Sequence, residues 1–510
     1  MSATQHVTGG LVAAVSATLS ARPDAIVLHG DATLAGRDIL ESVERYAAAL
    51  AALGVGAGDR IVVQAEKSIA QALLYLAVLR VGAVFVPLNP AYSIAETEYF
   101  IRDAEPVIVV CDPRRADDLA PLASEVRGRL LTLGGSGHGT LADAVAGRHG
   151  PAPPLALTDS DLAVIIYTSG TTGRSKGAML THGNLLANAR ALIETWRIGP
   201  ADVLLHALPL FHIHGLFVAF NTLLLAGGRI RWLRAFEPEA VIRELPASTI
   251  FMGVPTYYTR LLAAEGFSRP VTTAVRVFVC GSAPLLPQTF REFEAVTGQR
   301  IVERYGMSEC GIICSNPIDG PRRPGAVGRP LPGVELRIVD ERGQAVAPGV
   351  AGGIEVRGPH VCHGYWRRPQ SRASDFRPDG YFITGDIGEF DADGYVHVVG
   401  RAKDLIISGG LNIYPREIEL VLDTLPNIEE SAVIGVPHPD FGEAVVAVVQ
   451  LREGVRDFRV ADLLAAARSR LAGFKLPKAV YVLDELPRNS MGKLQKAELR
   501  ERYAGAFTAP

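Results

Sequence analysis

No run in the 510 residues is both long and apolar enough to span a membrane. The most apolar internal stretch, residues 69–88, is interrupted by Arg80 and Pro87 and reads as a helix followed by a strand. The segment "LVAAVSATLSA" near the start has no Lys or Arg before it, so it reads as a first helix and not a secretory signal. Cysteine is scarce. The five at 111, 280, 310, 314 and 362 are odd in number and share no spacing, which excludes a disulfide framework and favours a reducing, cytoplasmic compartment. Cys310 and Cys314 lack a second ligand pair and read as two small buried residues. Neither charge sign is in excess: 51 Lys plus Arg against 54 Asp plus Glu leave a net charge of −3. That balance argues against nucleic-acid or anionic-membrane partners.

What is present is a globular composition, 48% hydrophobic and 21% charged, with 52 glycines and 33 prolines. The length exceeds what one hydrophobic core supports, so two or more domains are expected. Leu40, Val43, Ala47, Leu50 and Leu53 recur at helical spacing and stop at Gly54. "IVVQ", "AVFVPLN" and "VIVVCD" are buried-strand runs separated by helical segments. Such alternation predicts a mostly parallel sheet covered by helices, continued by "IFMGV", "VRVFVCG" and "RIVERYG". After about residue 330 the texture becomes alternating strands with turn signals, such as "DADG" at 391–394. From about residue 402 a small α+β block follows. The expected organisation is therefore α/β: residues 1–400 as a large N-terminal domain of layered sheets and helices, with an antiparallel β-rich part over about 331–400. A linker at 401–405 and a small, mobile α+β C-terminal domain at 406–510 complete it.

The conspicuous local feature is "YTSGTTGRSKG", residues 167–177, behind the apolar run "LAVIIY". It lacks the Walker spacing, because Gly170 is followed five positions later by Ser175 and the lysine is Lys176. The physics of phosphate binding survives: glycines let backbone N–H groups approach oxygens, hydroxyls surround them, and lysine adds charge.

This loop resembles the signature of the adenylate-forming superfamily, which includes acyl-CoA synthetases, luciferases and peptide-synthetase adenylation domains. "GSAPL" at 281–285, "ERYGMSE" at 303–309, "YFITGDIG" at 381–388, "GRAKDLIISGG" at 400–410 and "PRNSMGKLQK" at 487–496 resemble further motifs in the same order. The resemblance implies ATP, Mg²⁺ and coenzyme A as ligands. Thr168, Ser169, Gly170, Thr171, Thr172, Gly173 and Lys176 would wrap the β- and γ-phosphates. Ser282, Ala283, Arg304 and Tyr305 would flank the adenine, with Gly306 beside them, and Ser308 would touch phosphate. Glu309 would hold Mg²⁺, and Asp386 and Arg401 the ribose. Lys493 would reach the α-phosphate and the acyl carboxylate, making Lys493, Glu309 and Thr168 the catalytic group. Lys403 would be the hinge, swinging Lys493 in for adenylation and Ser408, Gly409 and Gly410 towards coenzyme A for thioester formation. Two anions must meet in this chemistry, so positioning and fixed positive charge supply most of the catalysis.

"LPLFHIHGLFVA" and "FMGVPTYYTRLL" resemble those segments in malonyl-CoA synthetases more than in long-chain fatty acyl ligases. A dicarboxylate needs a fixed cation for its distal end. Arg260 is the candidate, with His212 and His214 lining the acyl pocket; the alternative is a helix-surface arginine and two structural histidines. "GMSECGIICS" at 306–315 is less polar than the corresponding malonyl-CoA synthetase segment. If Ile312, Ile313 and Cys314 line the pocket, methylmalonate or another short acid gains ground. No carrier domain follows Lys493, so free coenzyme A is expected over a carrier-bound thiol. The expected activity is an AMP-forming acid–CoA ligase for malonate or a close dicarboxylate. A ligase for another short or medium acid is the alternative, and a carrier-loading adenylation enzyme a further one.

Overall fold

The computed structural model describes residues 7–148, 150–168, 175–409, 411–489 and 492–507. Three of its sheets carry the N-terminal part. In the first, strands run in the order 176–181, 162–168, 84–87, 60–64, 108–111, 129–132, parallel throughout except for the first pair. The middle strands are buried from Ile61, Val84 and Ile108 onward, which is why they read as apolar runs with no alternation. The second sheet has nine strands, with 302–307, 277–280, 250–253, 203–206, 229–232 and 26–29 in parallel array and antiparallel strands at both edges.

One core spans both sheets and holds Trp196, Tyr75, Phe85 and Phe220. The helix Ile69–Arg80 is buried on every side, started by Ser68 accepting from the Gln71 N–H. Its single charge, Arg80, is 1% exposed and satisfied by Glu44 at 2.7 Å and by the carbonyls of Ala152 and Pro153. A buried arginine is tolerable only when paired in this way. The helix Gly36–Ala52 buries Val43, Ala47 and Leu50 and ends before Gly54 at φ +88°, as the spacing predicts.

The third sheet is antiparallel and four-stranded: 335–339, 352–357, 382–390, 396–401. Its DADG turn closes with Gly394 N–H donating to the Asp391 carbonyl at 3.0 Å. The C-terminal sheet pairs the long strands 428–438 and 442–451, flanked by 406–408, 411–413 and 479–483 and backed by helices 415–422, 460–468 and 496–503. Among the described residues no helix is long and apolar enough to cross a membrane.

Candidate active site

The described ends of the signature stretch lie on two paired strands. The strand Leu162–Thr168 leads into it and Lys176–Thr181 returns antiparallel, with Thr168 opposite Lys176 and Tyr167 opposite Gly177. Ser169, Gly170, Thr171, Thr172 and Gly173 lie outside the described residues. Gly177 admits no side chain, since a Cβ there would come within 2.6 Å of Ile165. The Thr168 hydroxyl donates to Glu309 Oε1 at 3.3 Å, and Tyr365 O–H donates to the same oxygen at 2.9 Å. Lys176 sits 4.8 Å from the Tyr365 ring centroid and only loosely meets Asp375, at 3.9 Å. Among the described residues no carboxylate meets its charge more closely than that.

These residues line a cleft of about 2130 Å³ shared with Ser282, Ala283, Tyr305, Gly306, Ser308, Asp386 and Arg401. Asp386 is buried, with Oδ2 accepting from Tyr305 O–H at 2.5 Å and Oδ1 facing Arg401 Nε at 2.7 Å. Burial pushes its carboxyl pKa up, while Arg401 and Tyr305 oppose that shift. Each oxygen keeps a further lone pair, as an acceptor for two ribose hydroxyls requires. Gly306 could carry no Cβ, which would fall 2.1 Å from the Gly311 carbonyl.

The same cleft is lined by His212 and Arg304, with His214 fully buried. Arg304 Nη2 donates to Ser282 Oγ at 3.2 Å, and that hydroxyl lies 3.3 Å from His214 Nδ1. Ser282 holds φ +73°, and Gly281 leaves the space the guanidinium occupies, a Cβ there meeting Arg304 Cζ at 2.5 Å. The His214 backbone N–H donates to His212 Nδ1 at 3.1 Å, at the start of a π-helix over His214–Asn221. Such turns recur at functional sites. Burial, then the Arg304 charge, push His212 down to about 3 and His214 well below the usual imidazole range, so both are neutral at pH 7. Burial also lowers Arg304, to about 10, which leaves it cationic. No carboxylate pairs with it among the described residues, and its Nε is buried without a partner.

Arg260 stands differently. It lies on the helix Pro255–Ala263, lines the cleft, and is exposed with no ion pair among the described residues. Ile312, Ile313 and Cys314 are wholly buried in the core and do not line the cleft, so the condition that favoured methylmalonate is not met. Sequence reasoning missed Tyr365 and Asp375, which hold Glu309 and Lys176. The aromatic and basic run "GYWRR" at 364–368 was the available signal.

Lys493 enters the cleft on a turn in which its N–H donates to Asn489 Oδ1 and its carbonyl accepts from Asn489 N–H, both at 2.9 Å. Gly492, at φ +73°, abuts Thr256 of the N-terminal part. The lysine is still reached by water but surrounded by protein. That desolvation, then Arg401, lowers its pKa, while Asp386 opposes. Lys403 is exposed in the 3₁₀ turn Ala402–Asp404, and Asp404 pairs with Arg500 at 2.5 Å. Ser408 is buried in its strand and the Gly409 N–H donates to the Phe441 carbonyl; neither lines the cleft, and Gly410 lies outside the described residues. Lys493 is thus inside and the 408–409 segment outside, one of the two expected arrangements.

Two sheet layers, an antiparallel sheet and a small C-terminal body closing round one cleft define an AMP-binding enzyme. The chain belongs to that family: the AMP-binding enzyme family matches residues 15–366, and the AMP-binding enzyme C-terminal domain matches residues 417–493. It is similar to the ATP-bound crystal structure of MatB from Rhodopseudomonas palustris, at 47% identity and TM-score 0.95, covering 98% of this chain and 99% of that one. Against the apo structure of the same protein the TM-score is 0.84 at 48% identity and the same coverage, so the ATP-bound arrangement is the better match. Among curated relatives, a feruloyl-CoA synthase from Amycolatopsis sp is 38% identical over 482 residues, 94% of this chain and 95% of that protein. A mitochondrial malonate–CoA ligase from Bos taurus is 36% identical over 471 residues, 84% of this chain and 79% of that protein.

Proposed function

We propose that the protein is an AMP-forming acid–CoA ligase that makes malonyl-CoA from malonate, ATP and coenzyme A. The observation that carries the malonate reading is Arg304, a buried cation with no acidic partner among the described residues, set close to two neutral histidines. An unpaired buried charge is costly, and the distal carboxylate of a short diacid supplies the missing opposite charge. Arg304 takes this role in place of Arg260, whose exposure suits a rim contact. The similarity to feruloyl-CoA synthase favours an aromatic acid instead, but such an acid would leave Arg304 unpaired.

In the first step a carboxylate oxygen of malonate bonds to the α-phosphorus of ATP and pyrophosphate leaves. Lys493, among Asp386 and Arg401, brings positive charge to the atoms where negative charge converges. Lys176 and Ser308 serve the departing phosphates, and Tyr305, Asp386 and Arg401 hold the ribose end. Glu309 fits Mg²⁺: among the described residues both hydrogen bonds its carboxylate accepts go to Oε1, leaving Oε2 its lone pairs. One carboxylate with substrate phosphates is an ordinary Mg²⁺ site, and the ion supplies charge neutralisation on the phosphates when bound. In the second step the coenzyme A sulfur bonds to the acyl carbon, AMP leaves and the thiol proton is released. Residues 401–405 act as the hinge between the 1–400 and 406–510 bodies, moving Lys493 out and the Ser408–Gly410 segment in. Five free, buried cysteines favour a reducing setting, which we take as the cytoplasm. The test is malonate-dependent exchange of labelled pyrophosphate into ATP in the absence of coenzyme A. Exchange with malonate supports the reading; exchange with ferulate and none with malonate refutes it.

A further inference from the structure

Both ends of the phosphate loop are tied to one face of one helix. The helix Ile94–Ala104 is fixed at its start by a reciprocal cap, with the Glu96 N–H donating to Ser93 Oγ and Glu96 Oε2 accepting from the Ser93 N–H. Tyr99 and Asp103 lie four apart on it and so share a face. On the outgoing side of the loop, Tyr167 O–H donates to Asp103 Oδ2 at 2.5 Å. On the returning side, Tyr99 O–H donates to the Ser175 carbonyl at 2.7 Å, one residue before Lys176. The segment after Tyr365 grips the same points from the far side. Its Trp366 N–H donates to the Gly177 carbonyl at 2.8 Å and Trp366 Nε1 to the Asp103 carbonyl at 3.0 Å. Arg368 Nη2 donates to the Tyr99 hydroxyl at 3.1 Å.

Arg368 is half-buried, meets no carboxylate among the described residues and does not line the cleft. Its guanidinium therefore acts on the site through Tyr99. By donating to the phenol oxygen it fixes that oxygen's lone pairs, so the phenol proton is directed at Ser175; a donor already polarised by a charged neighbour makes a stronger hydrogen bond.

We infer that Tyr99 and Arg368 form a brace that sets the position of Ser175 and Lys176, making them positioning residues for the β- and γ-phosphates of ATP. This rests on the ATP-dependent reading above. Its distinguishing consequence is that the brace serves only ligands that carry those phosphates. AMP lacks them, and so does an acyl-adenylate.

The experiment is direct binding of ATP and of AMP, each with MgCl₂, to the full-length wild type, Tyr99→Phe, Arg368→Met and the double variant. Phenylalanine keeps the ring packing and removes only the hydroxyl; methionine keeps most of the stem and removes the donor. Each single variant is expected to raise the ATP Kd about three- to tenfold, the range of one hydrogen bond, and to leave the AMP Kd unchanged. The double variant should be no weaker than Tyr99→Phe alone, because Arg368 has no route to Ser175 without the hydroxyl. Arg368→Lys, which retains a donor, should recover part of the loss. Conversion of supplied acyl-AMP and coenzyme A to thioester should match the wild type in every variant. An unchanged ATP Kd, an equal loss for AMP, or additive losses in the double variant would each overturn the brace. Wild type that binds neither nucleotide would instead defeat the ATP-dependent reading itself.

Discussion

Replacing Arg304 by methionine separates the two cations that could serve a dicarboxylate. Arg304 is 4% exposed, has a buried Nε without a partner, and stands among histidines that carry no charge at neutral pH. Malonate bound there without it would bury a carboxylate alone, which costs roughly 3–5 kcal/mol. At 1.36 kcal/mol per decade this is a loss of about two to nearly four decades in kcat/KM for malonate. Arg260 is exposed, and an exposed pair contributes roughly 0.2–1 kcal/mol, so Arg260→Ala should cost no more than about fivefold. Arg304 also holds Ser282 at the nucleotide site, so the quantity to measure is the ratio of malonate to butyrate kcat/KM at saturating ATP. Effects on ATP cancel in that ratio. Arg304→Met should collapse it a hundredfold or more, and Arg260→Ala should leave it within fivefold. A ratio that survives the first change and collapses with the second would refute the reasoning and return the role to Arg260.

Lys493→Ala should lower adenylation on the order of a hundred- to a thousandfold, while conversion of supplied malonyl-AMP and coenzyme A to thioester persists; loss of both half-reactions together would contradict the domain alternation. Lys403→Pro should impair thioester formation more than adenylation, because proline fixes φ at the hinge and restricts rotation of the C-terminal body; stopped-flow assays of each half-reaction check this, and equal losses in both would count against it. Glu303, buried with Oε1 accepting from the Gly325 N–H at 3.1 Å, has its carboxyl pushed up to about 8 by burial. Between the ordinary value of 4.5 and about 8 the unfolded chain has lost this proton and the folded one keeps it, so stability falls as pH rises, by up to about 1.4 kcal/mol per pH unit. Melting temperature should therefore drop more steeply between pH 6 and 8 for the wild type than for Glu303→Gln, and parallel curves would remove this titration from the account.

The sequence made the repeating elements legible because their periods are set by local geometry. Helix Gly36–Ala52 follows from its apolar spacing, and the buried strands of the first sheet from their unbroken apolar runs. What it could not show was which polar groups lack partners, since pairing depends on residues far apart in the chain. The motif resemblance implies a place for Arg304 beside the adenine; that it is buried with no carboxylate paired to it among the described residues is visible only in the fold. The resemblance of "FMGVPTYYTRLL" to malonyl-CoA synthetases makes Arg260 a candidate cation; Arg260 does line the cleft, and its exposure there is visible only in the fold. Ile312, Ile313 and Cys314 follow directly after site residues, but the return strand turns them into the core. The strands 162–168 and 176–181 pair locally, but the segment at 362–376 that braces them does so from nearly two hundred residues away, as in the bridge between Ala178 and Tyr365, which no local pattern encodes.

The central claim is that this chain activates a short diacid and transfers it to coenzyme A. The most direct measurement is the kcat/KM for ATP-dependent thioester formation with malonate, methylmalonate, butyrate and ferulate, each product identified by mass. The account predicts malonyl-CoA as the preferred product, at least a hundredfold above butyryl-CoA, with one AMP and one pyrophosphate released per thioester. Feruloyl-CoA or butyryl-CoA formed faster than malonyl-CoA would contradict it.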